Sequence, residues 1–248
     1  MKSTYKKFGL FSALFISALT VEAAYYYRGN NMLYDSQRDV TWLMDMNYAA
    51  TSGYCATGVT CSGTGHGRMT WGAAHTFASS LNYNGISGWR LSSANLIGLY
   101  EWRADGTSDW GYNNTRTDLG NLFYTVLGNK GYCAPDALDA NTDCPQADYG
   151  LLNLSVTDSD TGSIYSFFNF LNKPYWQDEE NADDTTLAWY FNADKGYQNN
   201  ELPKGGRNYV ALLADGDVAN VAEVPVPSAV WLFGSALFSL WFKRKVSE

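Results

Sequence analysis

The chain is poor in the residues and motifs on which common enzymes depend. It has only two histidines in 248 residues. It contains no Gly-x-Ser-x-Gly elbow, His-Glu-x-x-His pair, P-loop or paired-cysteine redox motif. His75 falls on a predicted helix and His66 in a glycine-rich loop, so neither stands beside a group that would tune it for catalysis. We therefore predict that the protein is not an enzyme, and we assign no catalytic residue.

Basic residues are scarce between the two ends of the chain. The formal net charge is −8, and residues 25–242 contain 11 Lys and Arg against 23 Asp and Glu. Such an excess of negative charge repels a nucleic-acid backbone. Nucleic acid is therefore not an expected partner.

The N-terminus has the three parts of a secretory signal. Lys2, Lys6 and Lys7 precede an apolar run over residues 8–21. The expected cleavage site, Val21-Glu22-Ala23, lies at the end of this run. As a helix this run covers about 21 Å, short of the roughly 30 Å of a hydrocarbon core, so an uncleaved anchor is the weaker alternative. We predict a signal peptide over residues 1–23, removed by signal peptidase, and a single folded domain over residues 24–222.

The C-terminal tail, residues 223–248, also has three parts. Two prolines keep the first part extended, an apolar run from Ala229 to Phe242 can enter a membrane, and a basic triplet holds the end on the cytoplasmic side. The residues of the signal are Val224, Pro225, Val226, Pro227, Ser228, Lys243, Arg244 and Lys245. A permanent C-terminal anchor is the alternative, although the apolar run is somewhat short for one.

This tail resembles a PEP-CTERM sorting signal, with Val-Pro-Val-Pro where Val-Pro-Glu-Pro is usual. The resemblance implies processing by an exosortase of the inner membrane of a Gram-negative bacterium. It also implies a protein that is anchored transiently in that membrane and then reaches the cell surface or the extracellular matrix.

Four cysteines fall in two close pairs within Gly, Ser, Thr, Asp and Pro-rich loops. Export permits oxidation, and such loops bring their ends together, so we favour the disulfides Cys55–Cys61 and Cys133–Cys144. Zinc binding is the alternative, but neither pair has the two-residue spacing of a zinc knuckle. We assign no metal ligand.

The hydrophobic pattern between the two ends predicts an α+β domain with small antiparallel sheets and two to three helices, flanked by the signal and sorting segments as terminal helices. The expected strands are residues 33–35, 40–43, 89–91, 187–191 and 209–213, the last two joined by a polar hairpin loop. The expected helices start after Thr70, after Ser92 or Ser93, and at Asp118.

Eight short motifs in this region also resemble the domain named for the C-terminus of the Legionella collagen-like adhesin. They include Met69-Thr70-Trp71, Gly88-Trp89-Arg90-Leu91, Ala188-Trp189-Tyr190-Phe191 and Asp215-Gly216-Asp217-Val218. The resemblance implies a C-type-lectin-like fold and a role in adhesion. The chain departs from the usual Trp-Arg-Leu-Pro-Thr and following Glu, because it has Ser92, Ser93 and Asn95 there.

Two segments are candidates for ligand binding. Trp102, Trp110 and Tyr112 lie in a Gly, Asp and Asn-rich loop where we expect exposure, whereas Trp42, Trp71, Trp89 and Trp189 follow the apolar periodicity of core residues. The second candidate is an acidic loop with Asp178, Glu179, Glu180, Asp183 and Asp184. It could serve as a calcium site or as a pair of catalytic carboxylates, or it could simply be solvated.

These observations predict an exported, non-enzymatic protein of the cell surface or biofilm matrix that binds exopolysaccharide or another matrix component. Two alternatives stay open. One is a secreted carbohydrate-active enzyme that uses the acidic loop, and the other is a purely structural matrix protein.

The tail gives the first testable prediction. Pro225→Ala with Pro227→Ala should leave export intact and block release from the inner membrane, because the extended presentation of the tail is lost. Protein collected from the medium should lack residues 231–248 by mass, and only in cells with the processing enzyme. An intact Lys243-Arg244-Lys245 end on the secreted form from such cells would contradict the sorting assignment.

Overall fold

The computed structural model describes residues 23–55, 61, 66–139 and 141–218. Most of the predicted signal peptide and the whole sorting signal, Val224 to Ser228 and Lys243 to Lys245, lie outside the described residues. Within the described part, no helix has the length and apolar character needed to cross a membrane.

The described residues form an α+β structure with small, mainly antiparallel sheets and a few short helices, as the sequence predicts. The strands are β1 (Tyr25–Tyr27), β2 (Met32–Asp35), β3 (Val40–Leu43), β4 (Arg90–Leu91), β5 (Trp102–Arg103), β6 (Trp110–Gly111), β7 (Ser155–Thr157), β8 (Ile164–Ser166), β9 (Pro174–Glu180), β10 (Leu187–Asn192), β11 (Tyr197–Pro203) and β12 (Leu212–Asp215). The helices are α1 (Tyr48–Thr51), α2 (Trp71–Ser80) and α3 (Asp118–Gly120), and α3 continues as a π-helical turn, Asn121–Val126.

The first sheet has the order β1-β2-β3-β12-β4, and all its pairs are antiparallel. The predicted β2–β3 hairpin is confirmed. Its turn is set by the Asp35 carboxylate, which accepts hydrogen bonds from the backbone N–H groups of Gln37 and Arg38. The last described strand, β12, inserts between β3 and β4, so that residues far apart in the chain complete the sheet.

The second sheet has the order β5-β6-β11-β10-β9, with β5 and β6 parallel and the other pairs antiparallel. Strand β11 lies where the sequence predicts a polar loop, so that prediction is wrong. The polar residues Gln198 and Asn199 are tolerated because they are buried with hydrogen-bond partners inside the sheet. The strand predicted over residues 209–213 begins only at Leu212. β7 and β8 form a separate hairpin.

Helix α2 is confirmed, and the hydroxyl of Thr70 accepts a hydrogen bond from the N–H of Ala73 as a cap. The core prediction is correct for Trp42, Trp89 and Trp189, each at most 2% exposed. Trp71 is only partly buried and packs against the edge of the core, where its indole N–H donates to the Gln177 carbonyl, which corrects its assignment to the core.

The predicted helix after Ser92 is absent, and residues 93–97 form an irregular segment. Asn95 and Gly98 have positive φ angles, which an α-helix does not allow. The N–H groups of the segment are bound by carboxylates instead: Asp118 accepts from Ser93, Glu179 accepts from Ala94, and Asp109 accepts from Ile97, Gly98 and Leu99. The side chains of Ile97, Leu99 and Tyr100, which a helix would have buried, are 39–56% exposed.

Asp118 binds two arginines as well as a backbone N–H group. Its two oxygens lie 3.1 Å from a guanidinium nitrogen of Arg38 and 2.9 Å from one of Arg90, and its side chain is 5% exposed. Arg90 also pairs with Asp215 at 2.7 Å. One buried charge therefore joins the β2–β3 turn, β4 and α3.

We predict that Asp118→Asn lowers the free energy of unfolding by about 3 kcal/mol, because two guanidinium groups lose a buried counter-charge. The matched control is Asp217→Asn, which removes the partially exposed pair with Arg28 and should cost less than about 1 kcal/mol. Urea unfolding measures both values. Equal effects of the two substitutions would contradict the special role of Asp118.

Candidate functional site

The predicted aromatic segment forms one edge of the second sheet. Trp102 of β5 and Trp110 of β6 are directly opposite each other, and both are partly exposed. Tyr112 is only 6% exposed, so the expectation that it is exposed is wrong. Its ring is covered by Trp102 and Tyr197, with ring centroids 6.4 Å and 4.9 Å away. The polar group of Trp110 already has a partner within the domain, because its indole N–H donates a hydrogen bond to the Tyr197 hydroxyl.

The parallel pairing of β5 and β6 depends on a glycine. Gly111 lies opposite Arg103 with φ of +132°, and a Cβ at this position would come 1.8 Å from the Arg103 carbonyl oxygen. No other residue allows this approach without moving β5. Gly111 therefore sets the position of Trp102.

A groove of about 200 Å³ lies beside Trp102. Strand β5 and its flanking residues form one wall, and a loop from the Cys133–Cys144 segment forms the other. The lining residues are Glu101, Trp102, Arg103, Ala104, Asp105, Pro135, Asp136, Ala137 and Leu138. The sequence predicts only Trp102 of this set.

Both predicted disulfides, Cys55–Cys61 and Cys133–Cys144, are present. The second one closes the loop that forms the far wall of the groove. Within this loop the Asp143 carboxylate accepts hydrogen bonds from the N–H groups of Leu138 and Asp139, and these bonds lower the pKa of Asp143. The Leu138 side chain is left 89% exposed.

Asn113 connects the two walls. Its side-chain amide nitrogen donates to the Ala104 carbonyl at 2.6 Å and to the Cys133 carbonyl at 3.0 Å. One half-buried amide therefore fixes the end of β5 relative to the start of the disulfide loop. The groove is preformed by covalent and hydrogen-bonded restraints.

The charged groups of the groove differ in how they are compensated. Arg103 pairs with Glu101 at 2.5 Å. Asp105 accepts hydrogen bonds from the N–H and hydroxyl of Thr107, and the hydroxyl bond is the main reason why its pKa is lowered. Asp136 is exposed and has no hydrogen-bond or ion-pair partner in the part of the chain that the structure describes.

The acidic residues of the second candidate segment do not line this groove. The first three lie on β9, so only the remainder is a loop. Because side chains alternate along a strand, Asp178 and Glu180 face away from Glu179. Asp178 lies 3.5 Å from His75, and Glu180 pairs with Lys204. Burial lowers the pKa of His75, which opposes the effect of the nearby Asp178.

Glu179 faces the irregular segment, where it accepts hydrogen bonds from the Ser93 hydroxyl and the Ala94 N–H. Burial raises its pKa. Asp183 and Asp184 are exposed, and Asp184 accepts from the N–H and hydroxyl of Thr186. These carboxylates therefore have different partners and do not share one site. Over residues 23–55, 61, 66–139 and 141–218, no group of three or more His, Cys, Asp or Glu side chains is placed to hold a metal ion.

Comparison of the chain with family models, with curated proteins and with solved structures finds no match in any of the three.

The disulfide gives a prediction about the groove wall. Replacing Cys133 and Cys144 with alanine should lower the free energy of unfolding by about 2–3 kcal/mol and speed amide exchange at Leu138 and Asp139. The same replacement of Cys55 and Cys61 is the matched control and should leave exchange at these two amides unchanged. Unaltered exchange in the first variant would show that the disulfide does not fix the wall.

Proposed function

We propose that the described domain is a glycan-binding module, without catalytic activity, of an exported surface or biofilm-matrix protein. Its sugar site is the groove beside Trp102. The observation that carries the proposal is a partly exposed indole in a preformed groove with convergent polar groups. An aromatic face packs on the apolar face of a sugar ring, and flanking carboxylates and guanidinium groups bind its hydroxyls.

The size of the groove favours a small unit. Its volume of about 200 Å³ is below the roughly 300–1,000 Å³ of pockets for drug-sized ligands. A site for one sugar ring gives low affinity by itself. Repeated units of a polysaccharide, contacted by several copies of the module, would raise the avidity.

The terminal segments and the disulfides support a location outside the cytoplasm. Two disulfides favour a protein that folds outside the cytoplasm. In this proposal, signal peptidase and an exosortase process the two ends, and the tail anchors the chain transiently in the inner membrane. The domain is of the C-type-lectin-like kind found at the C-terminus of the Legionella collagen-like adhesin, and its ligand is an extracellular polysaccharide.

Trp102 provides the test of the sugar site. Trp102→Ala should weaken binding to the host polysaccharide by at least about tenfold, because the stacking surface is lost. Trp102→Phe keeps an aromatic face and should retain most of the affinity. Affinity electrophoresis measures retention, and unfolding midpoints check that both variants fold. Wild-type retention by Trp102→Ala, or no retention of the wild type, would overturn the proposal.

A further inference from the structure

The groove beside Trp102 carries uncompensated negative charge. Among its lining residues, all of them described, three are acidic and Arg103 alone is basic. Because Arg103 is paired with Glu101, its charge is already neutralised. Asp105 and Asp136 remain, one on each wall.

Both remaining carboxylates are accessible to solvent. The hydrogen bonds from Thr107 stabilise the charged form of Asp105 and lower its pKa. Asp136 is exposed, and no basic side chain in the described part of the chain contacts it. The groove therefore has two negative charges in excess of its positive charge, next to an indole ring.

This combination favours one class of sugar over others. A uronate or sulfated unit would bring a third negative charge into the groove and be repelled. An uncharged sugar would leave both carboxylates without a counter-charge. An ammonium group is attracted by both carboxylates and by the face of Trp102, since a cation over an indole ring is stabilised.

We infer that this groove selects polysaccharides whose hexosamine units carry free amino groups, an inference that rests on the proposed function. The ring of such a unit packs on Trp102, and its ammonium group lies between Asp105 and Asp136. The class of reaction that supplies this ligand is the removal of N-acetyl groups from a hexosamine polymer. In that reaction water hydrolyses each amide to acetate and a free amine.

The experiment compares two probes of equal length, a β-1,4-linked glucosamine oligomer and its fully N-acetylated form. The folded domain should bind the glucosamine oligomer about tenfold more tightly at low salt. This advantage should shrink as ionic strength rises, because screening weakens attraction between exposed charges.

Two variants locate the selectivity. Asp105→Asn with Asp136→Asn should reduce the advantage of the glucosamine oligomer to about twofold or less, because the charge that distinguishes the two probes is removed. The matched control is Asp184→Asn with Asp183→Asn, away from the groove and with the same change in net charge. Asp184 contacts Thr186 at 3.0 Å and 2.6 Å, the distances at which Asp105 contacts Thr107, so the two turns lose the same interaction.

The outcomes separate this inference from the proposed function. Equal binding of both oligomers that depends on Trp102 would overturn the amino-sugar selectivity and leave the glycan module standing. No binding of either oligomer or of the host polysaccharide would overturn both. Equal binding of a lysine-rich peptide of matched charge would show that the groove recognises positive charge and not a sugar.

Discussion

The buried carboxylate of Asp118 is the interaction on which the arrangement of the sheets depends. It pairs with Arg38 from the β2–β3 turn and with Arg90 from β4, and it accepts the N–H of Ser93, where the chain leaves the first sheet for the second. A buried charge is costly unless it is paired and hydrogen-bonded, so a path of the chain that separated these groups would be destabilised. Asp109 has a similar effect on the next part of the chain, because its carboxylate accepts hydrogen bonds from three successive N–H groups just before β5. The position of the groove therefore depends on polar contacts with the backbone as well as on the apolar cluster of Ala104, Tyr112, Cys133 and Ala137.

Local patterns predict the parts of the fold that local interactions determine. The β2–β3 hairpin and the start of α2 are encoded within a few residues, by Asp35 in the turn and by Thr70 as a cap. The segment after Ser92 has the pattern of a helix, but its N–H groups are bound by carboxylates from distant parts of the chain, and these override the local preference. Strand β11 is similar, since its polar sequence becomes a strand only because β6 and β10 pair with it on both sides.

The candidate site is predictable to a smaller extent. Trp102 is recognisable as an aromatic residue in a polar loop, and the close cysteine spacing predicts the disulfide that closes the facing loop. No sequence pattern places that loop against β5, because residues distant in the chain join them: the side-chain amide of Asn113 and an apolar cluster that contains Ala104 and Cys133. The burial of Tyr112 escapes prediction for a similar reason, as one of the two rings that cover it belongs to Tyr197, which is distant in the chain. The acidic cluster in the sequence is dispersed because strand alternation sends neighbouring carboxylates to opposite faces.

The acidity of the chain has two different physical uses. Asp109 and Asp118 are buried, and their charges are compensated by backbone N–H groups and arginines. They contribute to the fold and are hidden from solvent. Asp136 is exposed beside an indole and has no such partner in the described part of the chain, so its field reaches the solvent. In the proposed role, the negative charge that disfavours nucleic acid also attracts a polymer with ammonium groups, and Trp102 then distinguishes a sugar from other cations. Charge provides the attraction at a distance, and the preformed groove provides the selectivity on contact.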